Sequence, residues 1–209
     1  MKLLRETIRR LILEGDGMKT SADLPEDVVI AIKQQDEYQA HFYYADAETY
    51  EELFVGPLYG SVQIYEPKVE LTGNCSGAWM VGGSEAKSGW GPLLYDIAIE
   101  WATQNAGGLM SDRGTVSASA RKVWQYYQDV RANDDVQVHQ LDDLRNTLTD
   151  EEKDNCDHTP AGGSYYKYVR NETVPTEPKN PDWQNSPLSK RYTKAPTTMD
   201  ELGDKLVRL

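Results

Sequence analysis

A chain of 209 residues, 39% hydrophobic and 27% charged, suffices for one medium domain with additions or at most two small ones. A formal net charge of −12 disfavours nucleic acid as a partner and would attract polyamines, aminoglycosides or basic protein tails, acidic solubility being the plainer reading. The two cysteines (Cys75, Cys156) form no CxxC pair, the three histidines (His41, His139, His158) have no metal-ligand spacing, and no apolar run approaches the roughly 20 residues of a membrane span, so a reduced cytoplasmic chain without a metal is expected.

Residues 1–14 read as an amphipathic leader helix. Leu4, Ile8, Leu11 and Ile12 share one face, Lys2, Arg5, Arg9 and Arg10 make the rest basic, and Gly15-Asp16-Gly17 ends it. Such a segment serves either as a detachable targeting tag or as a terminal helix packed on the domain. Val28–Ile32 reads as a buried strand, Gln39–Tyr44 as another, Asp46–Phe54 as a helix, and Gly60–Tyr65 as a strand with Val62 and Ile64 on one face. One or two further strands are expected over Glu70–Val81.

The clearest helix follows. Leu93, Leu94, Ile97, Ala98, Trp101 and Ala102 form its apolar stripe, Asp96, Glu100 and Gln104 face outward, Gly91-Pro92 opens it and Gly107-Gly108 closes it. A short strand over Leu109–Ser111 comes next, then a helix capped by Ser117 with Ala120, Val123, Trp124 and Tyr127 along one side. Val136–Val138 suits a strand. Residues 142–158 are acidic and polar, and 173–196 are proline-rich and read as an extended, surface-wrapping segment. Thr198-Met199-Asp200-Glu201 fits a capping box, with Met199, Leu202, Leu206 and Leu209 continuing at helical spacing. The organisation expected is a leader (1–14), a main domain (15–172, its core over 75–130) and a trailing segment with a helix (173–209).

The run Gly82-Gly83-Ser84-Glu85-Ala86-Lys87-Ser88-Gly89-Trp90-Gly91-Pro92 stands between a predicted strand and the long helix. Glycines 89 and 91 let the backbone curl with N–H groups inward, and a helix N-terminus adds partial positive charge, which together suit a diphosphate. Strand, Gly-x-Gly turn, helix, short strand and Ser-capped helix, carried by "SGWGPLLYDIAIEWA", "GGLMSDR" and "SASARKVWQYY", resemble the acyl-coenzyme A binding core of the GNAT superfamily of N-acetyltransferases. The resemblance covers about a quarter of the chain and is greatest to tailed-phage members, to which the "QLDDL" and "DNC" stretches are also similar.

The resemblance implies an α/β (α+β) fold with a mixed, mostly antiparallel central sheet flanked by helices and splayed where acetyl-CoA enters. Backbone groups of Trp79, Met80, Val81 and Gly82 would pair with the pantetheine arm. Lys87, Ser88, Gly89, Trp90 and Gly91 would bind the diphosphate, and Ser117 or Ser119 would lie near the coenzyme. An amine, on a small molecule or a protein, would attack the thioester directly. Glu85 is the first candidate base and Glu70 the second; either as readily reads as a solvated carboxylate. The family's proton-donating tyrosine falls on Trp124, leaving Tyr126 or Tyr127 as substitutes, and its basic or glutamine residue at the loop's start falls on Ala86. Asp112-Arg113 reads as a buried ion pair below the site.

Ile12-Leu13-Glu14-Gly15 is similar to the cleavage pattern of prohead proteases in T-even-like phages, which trim targeting peptides from proteins packaged in the head. This implies an enzyme of the host cytoplasm or the virion interior, with head proteins as partners through residues 1–14. The alternative is a non-catalytic GNAT-fold head protein. Ala86 and Trp124 favour the alternative; Gly89 and Gly91 favour the enzyme. Modification of nucleic-acid bases is a third reading, opposed by the acidic charge.

Overall fold

A computed structural model describes residues 17–51, 57–67, 77–112, 116–141 and 185–209. Alternating and fully buried apolar runs become eight strands: β1 (Val28–Asp36), β2 (Gln39–Asp46), β3 (Gly60–Tyr65), β4 (Trp79–Ala86), β5 (Leu109–Ser111), β6 (Val136–Gln140), β7 (Lys190–Lys194) and β8 (Leu206–Arg208). Three α-helices accompany them among the described residues: α1 (Gly91–Asn105), α2 (Ala118–Asp129) and α3 (Thr197–Leu202). The strands form one mixed sheet in the order β6-β7-β5-β4-β3-β2-β1-β8. β4 with β5 and β1 with β8 are parallel, and the remaining neighbours are antiparallel. The chain is therefore a mixed α/β protein with a single, mostly antiparallel sheet.

The main core lies between α1, α2 and one sheet face. Ile30, Ile32, Phe42, Tyr44, Val62, Ile64, Trp79 and Val81 project from the strands to meet Leu94, Ile97, Ala98 and Trp101 of α1 and Trp124 and Tyr127 of α2. The opposite face carries two smaller clusters, Ala78–Met80–Met110–Leu141 and Val29–Ala31–Ala45. Alternation along β3 is legible in the sequence because Gly60, Val62 and Ile64 are buried while Ser61, Gln63 and Tyr65 are half-exposed.

Several expectations are corrected. Residues 47–51 form turns, not the start of a helix, and 52–56 lie outside the described residues. Asp96 and Glu100 do not face out, because α1 is buried continuously from Leu93 to Ala102. The sheet, β7 included, packs against it, and α3 lies against it as well. The trailing segment is part of the same sheet: β7 sits between β5 and β6, and β8 pairs with β1. The last helix stops at Leu202, where Gly203 takes φ +50°, and Leu206 enters a strand. The N-terminus of α3 has no side-chain cap of its own. The Glu100 carboxylate accepts instead from the N–H groups of Thr198 (2.8 Å) and Met199 (2.7 Å). The leader (1–14), Glu70, Cys75, Arg113, Cys156, His158 and the acidic stretch 142–158 lie outside the described residues.

α2 begins as its sequence predicts. Ser117 is extended, and its Oγ accepts from the Ala120 N–H at 3.1 Å. Ser117→Ala is expected to lower stability by about 1 kcal/mol, read as a shift in urea midpoint at unchanged slope.

Candidate functional site

β4 and β5 pair over only three positions, Trp79–Leu109, Met80–Met110 and Val81–Ser111. On the other side, β3 matches Gln63 to Gly83 and Ile64 to Val81, so Gly82 is an extra residue that bulges β4 just where β5 ends. Beyond the bulge β4 runs on to Ala86 while the chain leaves β5 at Asp112. The β5-facing edge of Gly82–Ala86 has no strand beside it among the described residues.

The strands therefore part, and the space between them is a cleft of about 240 Å³. Val81, Gly82, Gly83 and Ser84 line one side, Asp112 and Val116 the other. Ser117, Ala120 and Trp124 of α2 form the far wall, and Tyr95 of α1 completes it. An open strand edge presents unpaired N–H and C=O groups at regular spacing, which suits an extended ligand bearing amides of its own.

Sequence reasoning missed two polar side chains, one lining this cleft and one buried in the last strand pair before it opens. The Tyr95 hydroxyl lies 3.0 Å from Ser84 Oγ, and its ring meets Trp124 edge-on at 5.4 Å. Burial pushes the Tyr95 phenol above its ordinary range, with the Ser84 hydrogen bond offsetting part of the rise. It is thus held protonated at neutral pH. Ser111 is the second. It belongs to the last β4–β5 pair, is fully buried, and its hydroxyl has no hydrogen-bond partner among the described residues. Tyr95 could have been suspected as the one phenol in the helix that directly follows a glycine turn. Ser111 carries no such signal.

The loop from Lys87 to Gly91 is held by aromatic residues. Tyr44, buried beneath it, donates to the Trp90 carbonyl at 2.8 Å, and Tyr59 stacks on Trp90 at 4.6 Å. The Lys87 N–H donates to the Tyr59 carbonyl (2.8 Å), and the Lys87 ammonium lies 5.0 Å from the Tyr59 ring centre. Gly89 takes φ +81°, a backbone conformation that favours glycine, and its carbonyl accepts from the Lys19 N–H at 3.0 Å. The Trp90 N–H turns back to the Lys87 carbonyl, whereas those of Ser88, Gly89 and Gly91 meet no acceptor among the described residues. The loop opens α1, whose first turn carries no acidic residue, so its positive dipole end is uncompensated.

The expected site residues divide accordingly. Val81, Gly82 and Ser117 line the cleft, and Lys87, Ser88, Gly89, Trp90 and Gly91 form the loop at the far end of β4. Trp79, Met80 and Val81 are already paired to β5, so the open edge begins at Gly82, three residues later than the resemblance implied. Ser119 is exposed on α2 and does not line the cleft, and neither does Glu85. Glu85 is opposite Ser61 in register and acts electrostatically on His41.

Tyr126 and Tyr127 are also elsewhere. The Tyr127 hydroxyl is buried and donates to Asp96 (2.8 Å) and the Pro92 carbonyl (3.0 Å). Tyr126 lines a separate cavity of about 220 Å³ with Arg131, Asp135 and Glu201. Of the three tyrosines, only Tyr95 reaches the cleft. No group of three His, Cys, Asp or Glu is arranged to hold a metal among the described residues, and no described helix is long and apolar enough to cross a membrane.

Comparison with known proteins adds no name: no family model matches the sequence, and no curated protein and no solved structure is significantly similar to it.

Proposed function

We propose that the chain is an acyl-coenzyme A-dependent N-acetyltransferase of GNAT type that moves an acetyl group from acetyl-CoA to an amine. The observation that carries this reading is the open edge of β4, running from the bulge at Gly82 into the glycine loop that opens α1. Pantetheine has two amides and would add to that edge as a strand adds to a sheet. The N–H groups of Ser88, Gly89 and Gly91, with the Lys87 ammonium, would take the diphosphate. The thioester then falls near the point where the strands part, beside the unpartnered Ser111 hydroxyl.

The amine lone pair attacks the thioester carbonyl carbon, forming the C–N bond and a tetrahedral oxyanion. The C–S bond breaks, and the thiolate takes a proton from the Tyr95 hydroxyl, which regains one from the nitrogen through Ser84 or solvent. Tyr95 thus replaces Tyr126 and Tyr127 as the candidate acid. A second reading, a GNAT-fold head protein without catalysis, is favoured by one observation. Glu85, the expected base, lies off the cleft.

Calorimetric titration with acetyl-CoA separates the two. Binding is expected in the roughly 1 μM–1 mM range usual for enzyme substrates. Gly91→Glu is the matched control. A Cβ there meets only Ala86 Cβ at 3.6 Å, an ordinary contact, so the fold tolerates it while the carboxylate opposes the diphosphate. At least a tenfold loss of affinity is expected, about 1.4 kcal/mol. No binding by the native chain at millimolar coenzyme would sink the enzyme reading.

A further inference from the structure

Peptide planarity fixes where the N–H groups of the glycine loop point. No peptide bond among the described residues is cis, so each C=O and the N–H that follows it in the same unit point in opposite directions. The Trp90 carbonyl is drawn inward, because the hydroxyl of the fully buried Tyr44 donates to it at 2.8 Å. The Gly91 N–H shares that peptide unit and therefore points away from Tyr44. Ser88 follows the same rule. The Lys87 carbonyl accepts from the Trp90 N–H at 3.1 Å, so the Ser88 N–H points away from that bond. Two of the three loop N–H groups that meet no acceptor among the described residues are thus aimed from the far side of their own peptide units. Burial, with the charge of Asp96 adding to it, pushes the Tyr44 phenol well above its ordinary range, so it stays a donor at neutral pH. Its ring is set edge-on to Trp90 at 5.2 Å and to Tyr59 at 5.7 Å.

We propose that Tyr44 is a positioning residue that makes this site select thioesters bearing a diphosphate. This rests on the coenzyme reading above and narrows it to the donor class: acyl-coenzyme A, not acyl-pantetheine. Tyr44 touches no ligand on this account and acts through the Trp90 carbonyl alone. A loop free to rotate its peptide planes would have to order its N–H groups as the diphosphate arrives, at a cost in affinity. With the Trp90–Gly91 unit pinned, the Gly91 donor is in place beforehand. A pantetheine thioester uses only the open edge of β4 and gains nothing from it. Tyr44→Phe separates the two roles of the side chain, because the ring contacts stay while the bond to the carbonyl is lost.

The test is calorimetric binding of acetyl-CoA and of S-acetylpantetheine, which lacks the diphosphate, to the full chain and to Tyr44→Phe. The native chain is expected to bind acetyl-CoA at least tenfold more tightly than S-acetylpantetheine. In Tyr44→Phe that gap shrinks to about threefold or less through weaker acetyl-CoA binding, while S-acetylpantetheine affinity changes less than about twofold. In turnover, KM for acetyl-CoA rises and kcat stays within about twofold. Thermal unfolding reports whether the variant folds. Whatever its fate, the Gly91 amide resonance of the native chain, labelled with ¹⁵N-glycine, should move on adding acetyl-CoA or ADP and not on adding S-acetylpantetheine. A Gly91 amide unmoved by saturating acetyl-CoA overturns the assignment. So does a folded Tyr44→Phe that keeps the native gap or weakens both ligands alike; coenzyme binding by the native chain then leaves the acetyltransferase reading standing. If the native chain binds neither thioester, nor ADP, both fall together.

Discussion

On the proposed acetyltransferase reading, Tyr95→Phe is expected to slow acetyl transfer about a hundredfold while acetyl-CoA affinity changes less than about twofold. The substitution removes one oxygen. The ring keeps its edge-on contact with Trp124, and α1 keeps its backbone. What is lost is the hydroxyl whose oxygen lies 3.0 Å from Ser84 Oγ, at the only tyrosine lining the cleft among the described residues. A coenzyme thiolate leaves poorly unless protonated as the C–S bond breaks, so the loss falls on kcat and not on binding. The pH profile adds a readout that a structural role would not move. Burial raises the Tyr95 phenol above its ordinary range, and the protonated form is the competent acid, so on this account its alkaline limb lies above the usual phenol range. An alkaline limb that begins near pH 8 and is unchanged in Tyr95→Phe would assign the proton to another group. So would a thiophenyl ester, whose leaving group needs no acid, if it suffered the same hundredfold loss.

The residues show why a sequence discloses some of this and withholds the rest. Gly60–Tyr65, Leu109–Ser111, Gly91–Asn105 and the Ser117 cap are all readable because local periodicity and local hydrogen bonding decide them. The acid is different. Tyr126 and Tyr127 were natural substitutes for a tyrosine at the Trp124 position because they are near in sequence. Two residues along a helix is a turn of about 200°, which carries Tyr126 to the opposite side, into the cavity with Arg131. Tyr127 shares the buried face with Trp124, but its hydroxyl is used by Asp96. Tyr95 enters the cleft from a different helix, a relation set by how α1 and α2 pack. The same holds for Trp79 and Met80, whose edge is taken by β5, a pairing of residues about thirty positions apart.

Glu100→Ala is expected to destabilise the fold by about 3–5 kcal/mol, the usual cost of breaking a buried ion pair. Glu100 looked like an outward-facing residue of an amphipathic helix, yet it and Lys194 are almost wholly buried and paired. The carboxylate also takes the two N–H groups that open α3, and the Lys194 ammonium reaches Thr197 and Thr198 hydroxyls at 2.8 Å and Asp135 at 3.3 Å. One side chain thus ties α1 to β7 and to the start of the segment that returns as β8. Its loss leaves a cation buried without its closest partner and a helix end without acceptors. With a urea slope of about 2 kcal/mol per molar, the midpoint should fall by roughly 2 M. Replacing both partners by methionine tests the cause. The double variant removes both charges of the pair, at the loss of the two backbone hydrogen bonds, the Lys194 bonds to the Thr197 and Thr198 hydroxyls and the Asp135 contact, so it should be more stable than Glu100→Ala while staying below the native chain. A double variant as unstable as Glu100→Ala alone would mean that the helix cap, not the ion pair, is what holds α3 in place.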